Sequence, residues 1–162
     1  MMTVQRLPAP VGDAEKLVAI LHEADEEDER IRAALRDPAC RTYLALEDDT
    51  PVGAAVVQWD DEQPSEILYI AVVADRRGAG LGRQIVAAIK SDLPAHGRTL
   101  VVGTANSAID NIAFYQKCGF RMHSVRRDYF DYIQPPVEEH GIVMRDMLLF
   151  TYDLPPAPDR ST

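Results

Sequence analysis

The sequence predicts an α/β domain with a central mixed β-sheet and helices on both of its faces. Three observations carry that prediction. Apolar periodicity reads in the order β-α-α-β-β-β-α-β-α-β-β, which one mixed sheet between two helical layers satisfies. An apolar run at 67–73 enters the glycine-rich stretch Arg76-Arg77-Gly78-Ala79-Gly80-Leu81-Gly82 and leaves it as a helix-like run at 83–90, the strand–turn–helix layout of a phosphate cradle. The chain has 162 residues, 46% of them hydrophobic, which suits one domain with a proper core.

Residues 3–8 read as a first strand. Asp13 is placed to cap a helix running to about His22, with Leu17, Val18, Ile20 and Leu21 apolar. A charged junction, Ala24-Asp25-Glu26-Glu27-Asp28-Glu29-Arg30, leads to a short helix through Ile31, Ala34 and Leu35 that stops before Pro38. Residues 42–47 and 52–59 read as strands joined by the turn chemistry of Asp48-Asp49-Thr50-Pro51. A polar loop at 60–65 precedes the strand that feeds the glycine turn. The helix after that turn reaches about Leu93, and Pro94-Ala95-His96-Gly97 breaks the chain. A strand at 99–104 leads to a helix carrying Tyr115 and ending at Gly119. Residues 120–130 and 144–154 make a final hairpin with a long connection. The expected organisation is one domain over 1–154 and a frayed, proline-rich tail over 155–162.

A formal charge of −9 argues against nonspecific nucleic-acid binding, which needs a basic surface. It mildly favours a cationic substrate, although solubility is its plainer meaning. No apolar stretch is long enough to span a bilayer, and no signal peptide precedes the first strand. Cys40 and Cys118 lack metal or redox spacing and read as reduced thiols of a cytoplasmic protein. The histidines show no ligand spacing, so no metal site is expected. Exposed edge strands make a homodimer plausible.

The glycine turn is neither of two common phosphate motifs. Read from Gly78, both G-x-G-x-x-G and G-x-x-x-x-G-K-[ST] require a glycine where Arg83 stands. Arg-x-x-Gly-x-Gly does fit, as Arg77, Gly80 and Gly82. Downstream, Asn106-Ser107-Ala108-Ile109-Asp110-Asn111-Ile112-Ala113-Phe114-Tyr115-Gln116-Lys117-Cys118-Gly119-Phe120-Arg121 places a tyrosine shortly before Gly-Phe. In this order, with a strand between them, the two segments resemble the paired signatures of the GNAT superfamily, the acetyl-CoA-dependent N-acetyltransferases. Motif-level similarity covers residues 66–121, about a third of the chain.

The resemblance implies a GNAT-like fold with acetyl-CoA as co-substrate. It assigns the diphosphate to backbone N–H groups of Gly78, Ala79, Gly80, Leu81, Gly82 and Arg83, with Arg76, Arg77 and Arg83 adding charge-assisted bonds. It implies that the strand before the turn splays from its neighbour. Ile70, Ala71 and Val72 then offer backbone groups to the pantetheine arm, and the Val72 amide meets the thioester oxygen. Tyr115 takes the place of the family's general acid, a phenol of pKa near 10 beside a thiolate of about 8–9. Asn106 and Asn111 are candidate CoA contacts. The family's loop asparagine commonly stands where this chain has Ala108. The structural alternatives are a fully paired buried strand, a packed helix aromatic at Tyr115, and a simple helix-start residue at Asn106.

Relatives often carry a glutamate on the strand after the first motif helix, where this chain reads Val101-Val102-Gly103-Thr104. Glu66 is the best substitute base, facing the side of Leu68 and Ile70 unless a bulge intervenes. Asp128, Asp131, His123, a water relay or an amine that binds already neutral are the other options. Acidic residues at 25–29, and Asp128, Asp131, Glu138 and Glu139 beside Tyr129, Phe130 and Tyr132, suit an ammonium group by charge and cation–π contact. The expected acceptor is therefore a primary amine on a small molecule. Arg126-Arg127-Asp128-Tyr129-Phe130 also resembles the final hairpin of ribosomal-protein alanine acetyltransferases, which implies a protein N-terminus as the alternative acceptor. A non-catalytic acyl-CoA sensor, and an interaction domain whose glycine turn is only structural, complete the readings.

Overall fold

Two apolar layers, one on each side of a single sheet, account for most buried side chains. A computed structural model describes residues 1–156, and residues 157–162 of the expected tail lie outside them. The strands are β1 (Met2–Pro8), β2 (Cys40–Glu47), β3 (Thr50–Gln58), β4 (Ser65–Val72), β5 (Thr99–Ala105), β6 (Arg121–Arg126), β7 (Glu138–Glu139), β8 (Ile142–Val143) and β9 (Met147–Asp153). The helices are α1 (Ala14–Leu21), α2 (Asp28–Arg36), α3 (Leu81–Asp92) and α4 (Ile109–Lys117). Seven strands form the sheet in the order β1-β2-β3-β4-β5-β9-β6, and β7 and β8 pair separately. All pairings in the large sheet are antiparallel except β4 with β5. The mixed sheet expected from the segment order is present.

On one face, Leu17, Val18 and Leu21 of α1 and Ile31 and Leu35 of α2 bury Ala54 and Val56, with Leu68, Tyr69 and Ala71 packed at the margin. On the other, Ile85, Val86 and Ile89 of α3 join Tyr115 of α4 over Ala55, Val57, Ile67, Leu100, Val102 and Phe150. The α1 and α2 layer stops at β4, so the same face of β5, β9 and β6 carries no helix. Edge strand β6 is exposed along its whole length, and Arg121 and Arg126 place charges on an edge that would otherwise invite another strand.

Local sequence decides several boundaries. Asp48 and Asp49 both adopt positive φ (47° and 65°) in the β2–β3 turn, the conformation that the hairpin composition predicts. Gly119 ends α4 at φ +91°, a left-handed exit that glycine accepts without a Cβ clash. Asp13 starts α1 differently from expectation. It sits at φ 56° and makes no side-chain cap bond; its carboxylate meets Lys16 Nζ at 3.0 Å. The long connection before β9 contains the β7–β8 hairpin, whose two-residue strands are too short to leave a periodic signal.

One buried polar group fastens the sheet to the end of α3. Tyr43 is fully buried and its hydroxyl donates to Asp92 Oδ2 at 2.7 Å. Arg6 Nε donates to the same oxygen at 2.7 Å. Burial works against the Asp92 carboxylate, but Arg6 and Tyr43 outweigh it and hold its pKa below the ordinary carboxylate value. Tyr43→Phe removes a bond to a charged acceptor, a change of about 1.5–3 kcal/mol. Thermal unfolding should therefore show a Tm lowered by several degrees.

Candidate functional site: a splayed strand beside a glycine turn

The parallel pair of β4 and β5 is short. Ser65, Glu66 and Ile67 face Leu100, Val101 and Val102, and pairing ends there. β5 continues along β9 to Ala105, whereas β4 stays with β3 to Val72. The two central strands thus diverge after Ile67 and open a cleft. Val73 N–H donates to Val52 O at 2.9 Å, so in the antiparallel alternation Ala71 also directs its backbone groups to β3. Ile70 and Val72 direct theirs the other way, into the cleft. Of the three residues expected to offer free backbone there, Ala71 is the exception because β3 uses its groups. The Val72 carbonyl accepts from Arg77 Nε at 3.1 Å.

Just past this cleft the chain turns through Gly78 (φ +83°) and Gly80 (φ +82°) into α3. A Cβ at either glycine would meet no atom within 4 Å, so left-handed backbone, not crowding, requires glycine at both positions. Gln84 N–H to Gly80 O, at 3.2 Å, is the first backbone bond of the helix. Among the described residues, the N–H groups of residues 78–83 precede it without a backbone acceptor. Left-handed turns that aim successive amides at one point, at a helix start, attract an anion. Gly82 has a different reason. A Cβ there would lie 3.0 Å and 3.1 Å from Cζ and Cε2 of Phe114, so α3 and α4 meet at this glycine.

Tyr115 occupies the α4 side of the cleft. Its ring packs against Phe114 at 5.2 Å and against Phe120 and Phe150 at 5.9 Å each, in the cluster that also takes in Ile70 and Val72. Only 5% of Tyr115 is exposed. Burial, with Cys118 adding to it, pushes the Tyr115 phenol well above its ordinary pKa. Glu66 lies at the vertex where the strands part. β4 bulges opposite the Val56/Val57 step, which reverses the alternation. Leu68, Tyr69 and Ala71 therefore face α1 and α2, while Ile70 and Val72 face α3. Glu66 shares its face with Leu68 but not with Ile70, and Tyr115 is on the opposite side of the sheet. Burial raises the Glu66 pKa, and Arg126 partly offsets the rise.

Comparison with known proteins gives this geometry a family. The model of the acetyltransferase (GNAT) family matches residues 12–120. The Bacillus subtilis protein "Uncharacterized N-acetyltransferase YvbK" is 32% identical over 157 residues, covering 94% of this chain and 100% of that protein. The chain belongs to the GNAT acetyltransferase family. A Bacillus subtilis acetyltransferase structure in complex with CoA superposes with a TM-score of 0.85 at 29% identity, over 95% of this chain and 99% of that one. A GNAT acetyltransferase from Elizabethkingia anophelis with acetyl-CoA bound gives 0.81 at 30%, over 94% and 98%. The expected fold and the expected acyltransferase class both hold.

Within this GNAT protein, several polar side chains near the site are engaged in the fold. Arg76 pairs with Glu47, and Arg77 with Glu23. Arg83 reaches the α4 end at Lys117 O, 3.5 Å away. Asn106 donates to Val143 O at 3.0 Å and accepts from the N–H groups of Arg145 and Asp146 at 2.8 and 3.0 Å. Its amide therefore clamps the segment before β9, a partner that local sequence could not reveal because it lies far along the chain. Asn111 donates to Thr104 Oγ1 at 3.3 Å. Most carboxylates of the acidic junction at 25–29 are also engaged. Arg30 meets Glu27 at 3.0 Å and Asp25 at 3.9 Å, while Arg32 binds Glu15 at 2.9 Å and also Glu29 at 2.6 Å.

Two features escaped sequence reading. Tyr69, on the α1 and α2 face, has its pKa pushed up to about 12 by burial and by Asp25. Gly103, on the strand where no carboxylate stands, is closely covered by β9. A Cβ there would lie 2.7 Å from Met147 Sδ and 3.2 Å from Leu149 Cδ2. Among the described residues, no helix is long and apolar enough to cross a membrane and no cluster of ligand side chains is arranged to hold a metal.

Proposed function

We propose that this protein moves the acetyl group of acetyl-CoA to the primary amine of a small molecule by direct attack in a ternary complex. The observation that carries the proposal is the parting of β4 from β5 beside a turn whose amides lack backbone acceptors. Acetyl-CoA supplies an activated acyl carbonyl and a thiol leaving group. The amides of residues 78–83 hold its diphosphate, and Arg77 exchanges Glu23 for that anion. Ile70 and Val72 pair with the pantetheine arm as an added strand would, and the Val72 N–H stabilises the oxygen on which charge develops. Asn111, near the start of α4, flanks the bound co-substrate; Asn106 acts indirectly by fixing the segment before β9.

Glu66 and Tyr115 approach the cleft from opposite faces of the sheet, which suits a base and an acid acting on opposite sides of one carbonyl. The amine nitrogen forms the new C–N bond, the C–S bond breaks, Glu66 accepts the amine proton, and Tyr115 donates toward the departing sulfur. A buried phenolate is unfavourable, so Tyr115 serves chiefly by hydrogen bonding to the thiolate. Thiol release measured over a broad panel of amines tests the function. Amine-dependent release supports it, and CoA binding without release from any amine overturns it.

Glu66 also links activity to stability. Its folded pKa is raised above the ordinary 4.5, so the folded state favours the protonated form. Its favourable contribution is complete below 4.5 and is lost as pH rises through the folded value. Glu66→Gln should therefore raise Tm at pH 7–8, and the gain should shrink toward zero below about pH 4.5. The same variant should lower kcat/KM at neutral pH by about 10²-fold or more and abolish the acid limb of its pH profile. Melting curves and rates across pH check both.

A further inference from the structure

Lys90 takes no part in the acyl transfer proposed above, yet a carbonyl and two aromatic rings hold it in place. It stands in the last turn of α3, partly buried, and its Nζ donates to the carbonyl oxygen of Cys118 at the end of α4. The ammonium lies 4.1 Å from the centroid of the Tyr152 ring and 5.7 Å from that of Phe120, within reach of a cation–π contact. A Cβ at Gly119 would come within 3.1 Å of Nζ, so the glycine that ends α4 also leaves room for the cation. Seven residues earlier on α3, Arg83 reaches the carbonyl of Lys117 at 3.5 Å. Both terminal carbonyls of α4 are thus met by cations from α3.

Helix α4 needs that hold. It has nine residues, too few for a stable helix by itself, and its last carbonyls lack partners inside the helix. Cations at that end oppose its negative pole. Tyr115 belongs to the closing turn. The Phe120 N–H donates to Tyr115 O at 3.0 Å, and the two rings meet at 5.9 Å. Phe120 therefore touches the Lys90 ammonium on one side and Tyr115 on the other. The contact lies about 10 Å along α3 from Arg83, so it can be cut without touching the amides of residues 78–83. Resting on the acyl-transfer reading above, we infer that Lys90 is a positioning residue: its contacts with the Cys118 carbonyl and the Phe120 ring fix the end of α4 and so aim the Tyr115 hydroxyl at the departing sulfur. Misplacing such a group by about 1 Å can cost up to about 10²-fold in rate, so a small shift of α4 is felt in kcat.

Steady-state rates with the amine that gives the fastest thiol release, and calorimetry with CoA, test this on the wild type, Lys90→Met, Tyr115→Phe and the double variant. Methionine keeps most of the lysine stem and removes the charge and the donor. Lys90→Met should lower kcat about five- to tenfold while the Kd for CoA stays within about twofold. In the Tyr115→Phe background the same substitution should change kcat by less than about twofold, because the hydroxyl it aims is gone. Lys90→Arg restores a cation over both rings and a donor to the carbonyl, and should return kcat to within about twofold of the wild type. If Lys90→Met melts below the assay temperature, Lys90→Gln, which keeps a donor without the charge, enters the same cycle with the same expected pattern. An unchanged kcat in Lys90→Met, an equal loss in both backgrounds, a fall in CoA affinity that matches the fall in kcat, or no recovery in Lys90→Arg overturns the inference and leaves acyl transfer intact. An unchanged kcat in Tyr115→Phe overturns it as well, by removing the group that Lys90 aims. Failure of the whole amine panel overturns the acyl-transfer reading itself, and this inference with it.

Discussion

Tyr115→Phe should lower kcat at least about tenfold, within or just below the 10²–10⁴ range typical of acid–base groups, with little change in the affinity for CoA. The expected size follows from burial. The phenol lies among Phe114, Phe120 and Phe150, and its pKa is pushed up, so it stays protonated throughout the working range. A group so reluctant to ionise gives a hydrogen bond more readily than a proton, which puts the loss toward the lower end. The substitution keeps the ring and its packing, so the variant should melt close to the wild type. Steady-state rates, CoA calorimetry and a melting curve together check the prediction. A variant with unchanged kcat removes Tyr115 from the chemistry and leaves it as a core aromatic.

Gly82→Val has the larger structural consequence. A Cβ at this position lies 3.0 Å from the Phe114 ring, and a branched side chain pushes that ring, the neighbour of Tyr115, out of place. Overpacking of this kind destabilises by about 1–3 kcal/mol, or roughly 2–12 °C in Tm for a chain of this size. CoA affinity should fall at least about tenfold because the start of α3 shifts with its amides. Gly80→Ala separates the two causes. Nothing crowds a Cβ at Gly80, but its φ is +82°, so the loss comes from backbone strain alone, on the order of 1 kcal/mol. Melting and calorimetry on both variants should show weaker CoA binding in each and the larger Tm loss in Gly82→Val.

The fold and the glycine turn were legible because they rest on local rules. Apolar alternation marked the strands, Asp48-Asp49 marked a turn, and the glycines at 78–82 marked a strand–turn–helix junction. The bulge in β4 was not legible. It depends on how β3 and β4 register, and it decides that Glu66 faces away from Ile70. Partners of long polar side chains were hidden for a similar reason. Arg77 with Glu23, and Asn106 with the segment at 143–146, join residues distant in sequence. The acidic stretch at 25–29 read as a charge cluster, although Arg30 with Glu27 and Asp25, and Arg32 with Glu29, neutralise much of it through contacts only three to five residues apart. Backbone donors have no letter code, so the division of labour among Ile70, Ala71 and Val72 required the sheet pairing itself.

The proposed acyl transfer depends on a grip on the CoA diphosphate by the amides of residues 78–83. Calorimetric titration with CoA and, separately, with pantetheine, which lacks the diphosphate, measures that grip most directly. One CoA should bind per chain with a Kd within about 1 μM–1 mM, and pantetheine should bind at least about 100-fold more weakly, a difference of about 2.8 kcal/mol. Equal affinities for the two, or no heat from CoA, would contradict the account.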